Sequence, residues 1–167
     1  VFLQLETAAG GNAPLLGGRT LTAGDTLRIH AAGYDADSLY TGPVVVTWSA
    51  GPAGLGLDPA HGTSTLVQAL GPGTYQVVAQ DGSGLEAWSD TLRVVPGAPA
   101  RLAAFATPPT AATAALDALV LGADSTLVVY AGAYDAADNW LGPLDVRWSL
   151  DAPLGNVIPA QAALTVL

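Results

Sequence analysis

Thr26-Leu27-Arg28-Ile29-His30-Ala31 alternates apolar and polar residues, and 100 positions later Thr126-Leu127-Val128-Val129-Tyr130-Ala131 stands in the same place. A period of two puts Leu27, Ile29 and Ala31 on one side of an extended chain and Arg28 and His30 on the other, the pattern of a half-buried strand. Working outward, Leu21 to Ser49 lies over Leu121 to Ser149 without a gap, and 13 of these 29 positions are identical. The anchors are Tyr34-Asp35-Ala36 on Tyr134-Asp135-Ala136, Gly42-Pro43 on Gly142-Pro143, and Trp48-Ser49 on Trp148-Ser149. Self-similarity at a fixed spacing governs the reading of everything else. It predicts two copies of one unit, residues 1–99 and 100–167, the second without a counterpart of Gln68 to Pro99.

The rest of the first copy is written in strands and turns. Val1 to Thr7 alternates with Leu3 and Leu5 on one face, and Val44, Val46 and Trp48 share another. Thr63 to Leu70, Thr74 to Ala79 and Leu85 to Val95 continue the pattern. Gly10-Gly11-Asn12, Ala23-Gly24-Asp25, Gly51-Pro52, Asp58-Pro59, Gly71-Pro72-Gly73 and Asp81-Gly82-Ser83-Gly84 separate them. Gly admits positive φ and Pro presets a turn φ, so each cluster can reverse the chain. Six to eight short strands in about 100 residues predict an all-β fold, an antiparallel β-sandwich in each copy. Ala111 to Leu121 is Ala-rich but aligns with the loop-like Gly11 to Leu21, so it reads as irregular. Pro96-Gly97-Ala98-Pro99 is a short junction, and two prolines stiffen it.

Composition narrows the chemistry. Half of the 167 residues are hydrophobic and only 11% are charged, well below the usual quarter or so. The chain has no Cys, which removes disulfides, thiolate metal sites and thiol nucleophiles. It has no Lys, since its five basic residues are Arg19, Arg28, Arg93, Arg101 and Arg147. Schiff-base chemistry and lysine isopeptide bonds are therefore excluded. A net charge of −9 argues against a nucleic-acid partner, which needs a basic footprint. No apolar run approaches the ~18 residues of a membrane span. No phosphate-binding loop, nucleophile elbow or zinc motif is present, so no enzymatic activity is expected.

Ala133-Tyr-Asp-Ala-Ala-Asp-Asn-Trp-Leu-Gly-Pro-Leu-Asp-Val-Arg-Trp-Ser149 resembles the strand–loop–strand signature of bacterial Ig-like repeats, the invasin- and intimin-type surface domains. Gly73-Thr-Tyr-Gln-Val-Val-Ala79 is similar to their late strand, and Val95 to Leu102 to their linker. The resemblance implies tandem Ig-like sandwiches on an extracellular or cell-surface protein. It places Trp48 and Trp148 in the cores and gives Tyr75 a corner-tying hydroxyl. Such repeats serve as stalks, spacers, adhesion tips and enzyme appendages, so the likeness speaks to fold more than to function.

Three groups of residues are candidate sites. Asp35, Asp37, Asp135, Asp138 and Asn139 sit in the loops after the alternating strands. Clustered oxygens there form either Asx turns or a Ca²⁺ site. The turn is the expectation, because Ca²⁺ takes about six or more oxygens. No other cofactor is expected. Tyr40 and Trp140 share an aligned position, where an aromatic either packs on the sandwich or stacks on a glycan or host receptor. The third group concerns assembly. Without the missing strands, Leu127, Val129 and Trp148 would stay partly wet. Other copies of the chain, or adjacent repeats of the same chain, would complete the second sandwich by strand addition. Val1, Phe2, Leu3 and Leu5 form the candidate donor strand. The leading expectation is a structural segment of an extracellular filament, fibre or stalk. The alternative is an adhesin or carbohydrate-binding module of a larger secreted protein.

Overall fold

The alternating stretch that opens at Thr26 forms a strand of nine residues at the centre of the first sheet. The structure is a computed structural model. It describes residues 1–11, 13, 16–118, 120–122, 124–149 and 161–166. It divides into unit 1, Val1–Gly97, and unit 2, Ala98–Leu167. Among the described residues every regular element is a strand, and no helix is long and apolar enough to cross a membrane.

Unit 1 contains β1 (Phe2–Glu6), β2 (Arg19–Thr22), β3 (Thr26–Tyr34), β4 (Tyr40–Pro43), β5 (Val46–Gly51), β6 (Leu55–Asp58), β7 (His61–Gly62), β8 (Ser64–Ala69), β9 (Gly73–Asp81), β10 (Glu86–Trp88) and β11 (Leu92–Val95). The first sheet runs β1-β3-β8-β6, with β4 also on β3. The second runs β2-β11-β9-β5-β7, with β10 on β9. All pairs are antiparallel except β2 with β11. With β1, β3, β5, β6, β8, β9 and β11 lettered A to G, the orders are A-B-E-D and G-F-C, those of an immunoglobulin-type sandwich.

Alternation delivers the core. Leu3, Leu5, Ile29, Ala31 and Val67 of the first sheet face Val46, Trp48, Tyr75, Val77, Leu92 and Val94 of the second, and all are buried. The Trp48 indole N–H donates to the Gly62 carbonyl at 3.1 Å. The Tyr75 hydroxyl donates to the Gly71 carbonyl at 2.9 Å, tying the turn before β9 to the strand. The continuous Leu85 to Val95 strand expected from the sequence is broken. Buried Ser89 turns its Oγ onto the Val77 amide at 2.9 Å, and the chain re-enters the sheet only at Leu92.

Unit 2 contains β12 (Arg101–Phe105), β13 (Val128–Tyr134), β14 (Trp140–Pro143), β15 (Val146–Arg147), β16 (Gln161–Ala162) and β17 (Leu164–Val166). β13 pairs with β12, β14 and β17, as β3 pairs with β1, β4 and β8. β15 pairs with β16. One register detail departs from the 100-residue spacing. Leu3 stands opposite Gly33, but Leu102 stands opposite Ala133. The first strand is therefore offset by 99, and Phe105 takes the place of Glu6.

Candidate functional site

Two turns hold the acids singled out in the sequence. Asp35 Oδ1 accepts the amides of Asp37 and Leu39, both at 2.9 Å. Asp135 Oδ1 accepts the amides of Ala137 and Asn139 at the same distance, and the Asn139 side chain also donates to it. Ser38 and Asp138 complete the turns in left-handed backbone, with φ of 62° and 64°. Asp138 is further engaged by Arg101, whose Nη2 lies 2.7 Å from its Oδ1. Among the described residues no three His, Asp or Glu side chains converge on a metal position. The five acidic and amide residues thus fall in two Asx turns, Asp35 with Asp37 in one and Asp135 with Asp138 and Asn139 in the other.

These turns position Tyr40 and Trp140 at the starts of β4 and β14. Trp140 is half-buried. It meets Phe105 and Tyr134 edge-on, with ring centroids 5.8 and 5.2 Å apart. It lies so close over Gly132 that a Cβ there would stand 2.2 Å from the indole. Tyr40 is 39% exposed. It packs edge-on against Tyr34 at 5.9 Å, and its ring rests on Gly11, whose φ of +74° only a residue without Cβ adopts readily.

Beneath Tyr40 lies a feature that the alternation pattern conceals. Glu6 falls on the outward side of β1, in register with His30 of β3, which is itself in register with Ser64 of β8. Outward positions of a two-layer fold are ordinarily wet, yet Glu6 is only 1% exposed. The segment after β1 folds back over it. The Gly11 amide donates to Glu6 Oε2 at 3.2 Å, and the Tyr34 hydroxyl donates to Oε1. The Tyr34 hydroxyl is pushed up to about 12, first by its hydrogen bond to Glu6, then by burial and by the carboxylate charge. No cationic side chain among the described residues stands within ion-pair distance of Glu6. Beside it opens a cavity of about 260 Å³, lined among others by Glu6, Ala9, His30, Tyr40, Thr63 and Ser64. In unit 2 the same register row is Phe105, Tyr130 and Leu164. Phe105 is fully buried there.

The inner faces differ in the opposite sense. Leu3 is 8% exposed, whereas Leu102 at the equivalent register position is 56% exposed. Leu102, Ala103, Ala104, Ala131, Val146 and Trp148, together with Arg147, line a largely apolar groove of about 200 Å³. Trp148, expected in a core like Trp48, is half-buried at its rim. The assembly expectations shift accordingly. Val129 is already buried within unit 2 and Leu127 is half-buried, so the open face is the groove at Leu102 and Trp148. β1 is paired along all five residues with β3, and Leu3 and Leu5 are core residues of unit 1. Of the candidate donor residues Val1, Phe2, Leu3 and Leu5, the last three belong to that ladder, and donating them to a neighbour would strip it.

A cleft of about 360 Å³ runs along the seam between β1 and β10, lined by Leu3, Gln4, Leu16, Glu86, Trp88 and Asp90 among others. Exposed Trp88 donates its indole N–H to Glu86 at 3.2 Å. Neither Trp88 nor Glu6 stands out in the sequence. No family model matches this chain, and no curated protein matches it.

Proposed function

We propose that this chain is a structural segment of an extracellular filament, fibre or cell-surface stalk, built from Ig-like sandwiches of the bacterial surface-repeat kind and without enzymatic activity. The observation that carries the reading is the inner face of unit 2. In unit 1 the β1–β3–β4 layout is closed over by β9 and β11, whereas the same layout in unit 2, β12–β13–β14, leaves Leu102 exposed and Trp148 only half-buried. Apolar surface left in water costs about 25 cal/mol per Å², so a strand pair of the β9–β11 type has a standing reason to cover it. Alternating apolar residues such as Tyr75, Val77 and Ala79 suit that role. Such strands come either from the same polypeptide or from an adjacent copy. Contacts that do not close into a ring generate a fibre. The stiff Pro96–Pro99 junction supports a spacer role, and the acidic, weakly charged composition suits an exposed surface.

Two measurements test this. A denatured mass of the native polypeptide near 16.7 kDa, with polymers in solution, means completion by a neighbour. A larger mass means completion within the chain. A strictly monomeric 16.7 kDa protein whose Trp148 is nonetheless as well shielded from a solvent quencher as Trp48 overturns the reading. The second reading, an adhesin or carbohydrate-binding module, has the cavity beside Tyr40 in its favour. Trp140 speaks against it, because that indole is spent on packing.

A further inference from the structure

We propose that the cavity on the outer face of unit 1 is a binding site for an ammonium group carried on an unbranched aliphatic stem. This goes beyond the filament reading and does not depend on it. The first ground is Glu6. A carboxylate withdrawn from water is costly unless it is hydrogen-bonded and paired with a positive charge. Glu6 is 1% exposed and has two neutral donors, Tyr34 and Gly11, but no cationic partner among the described residues. An ionised carboxylate offers about four lone-pair sites, so acceptor capacity remains.

The second ground is the space beside it. About 260 Å³ holds an ammonium and several methylenes, and the walls supply both kinds of contact. Tyr40 offers an aromatic ring to a cation. Ala9, Ala32 and Pro43 flank an apolar stem. Thr63 and Ser64 add hydroxyl oxygens, and an ammonium has three N–H groups to satisfy. The third ground is the other unit. It carries the same register with Phe105, Tyr130 and Leu164, so the fold itself does not require Glu6, His30 and Ser64 there. With no lysine, the chain has no ammonium side chain of its own to fill the site, and its charge of −9 attracts cations from solution.

The ammonium comes either from a free alkylamine or from a lysine of a protein partner. The test is an amide NMR titration of the intact chain with n-butylammonium, with N-acetyl-lysine methylamide, and with n-butanol as the uncharged control. Saturable shifts at Gly11 and Ser64 with an amine, and none with butanol, are expected. Saturation by butylammonium alone marks the free amine as the source, and saturation by the lysine derivative marks a partner's side chain. Glu6→Gln should weaken binding by at least about tenfold. Ser64→Leu writes the unit 2 residue into the row and should abolish binding while leaving Glu6, Tyr34 and Gly11 in contact. It decides the matter if Glu6→Gln fails to fold. Absence of a saturable shift with both amines overturns the proposal. So does undiminished binding in either variant with its fold intact.

Discussion

In unit 1 the outward row across β1, β3 and β8 reads Glu6, His30, Ser64; in unit 2 the row across β12, β13 and β17 reads Phe105, Tyr130, Leu164. On this face one register carries opposite chemistry. On the inner face the relation is reversed. Trp48 and Trp148 are the same residue at aligned positions, but Trp48 is buried and Trp148 lies at the rim of a groove. The comparison separates two demands. The scaffold asks for alternation, the Asp-capped turns and Gly-Pro after them. The outer row is free to hold a buried carboxylate beside a cavity, as at Glu6, or a buried ring, as at Phe105, and the inner face is only as buried as the strands that lie across it.

The largest expected effect breaks or sustains the inner-face contrast. Trp48→Ala should cost unit 1 about 3–5 kcal/mol, the range for a large buried aromatic. Trp148→Ala should cost unit 2 less, because its indole is only half-buried. Denaturant unfolding of the two variants gives both values. Equal losses would mean that the unit 2 groove is closed in solution.

Next comes the outer row. Gly132→Ala drives a Cβ to within 2.2 Å of Trp140, so it should destabilise unit 2 by about 1–3 kcal/mol. The mirror change, Ala32→Gly in unit 1, removes no such contact and should cost only about 0.5–1 kcal/mol through chain entropy. Thermal melts of the pair sharpen the claim that Trp140 and Tyr40 occupy aligned positions in different ways.

The third prediction concerns pH. Tyr34 is raised from its usual value of about 10 to about 12. A raised folded-state value favours the protonated phenol in the native state. Its stabilisation is therefore complete below pH ~10 and is lost as the pH climbs toward 12. Unit 1 should weaken across that window, and Tyr34→Phe should remove that part of the slope. Chemical denaturation at stepped alkaline pH checks this.

The smallest effect belongs to the exposed Arg101–Asp138 pair, whose partners are both largely in water. Surface pairs contribute little. Arg101→Ala should leave the unit 2 melting curve nearly unchanged, although the guanidinium also sits 4.0 Å from the Tyr134 ring centroid.

Much of the fold was legible because period-two alternation reports directly which side chains face a partner sheet. Leu3, Leu5, Ile29, Val46, Trp48 and Tyr75 could all be assigned to the core that way. The turns were legible as well, since an Asp two residues before the amide it captures is a local signal. Glu6 was not. Alternation marks it as outward, and only the return of residues 7–11 across the sheet makes outward mean buried. Its counterpart was hidden for a second reason. The ungapped alignment sets Glu6 over Ala106, whereas strand pairing sets it over Phe105. The break at Ser89 escaped because a serine inside an apolar strand looks the same whether or not its hydroxyl captures a neighbouring amide.

By itself, then, the sequence determined that this is an all-β chain, where the chain turns, and which residues face inward. All of these depend on neighbours within a few positions. The tertiary structure alone decided which inward residues are dry, which outward residue is enclosed, and which side chains stand in one row. Those properties depend on contacts between segments tens of residues apart, whose register no local pattern specifies.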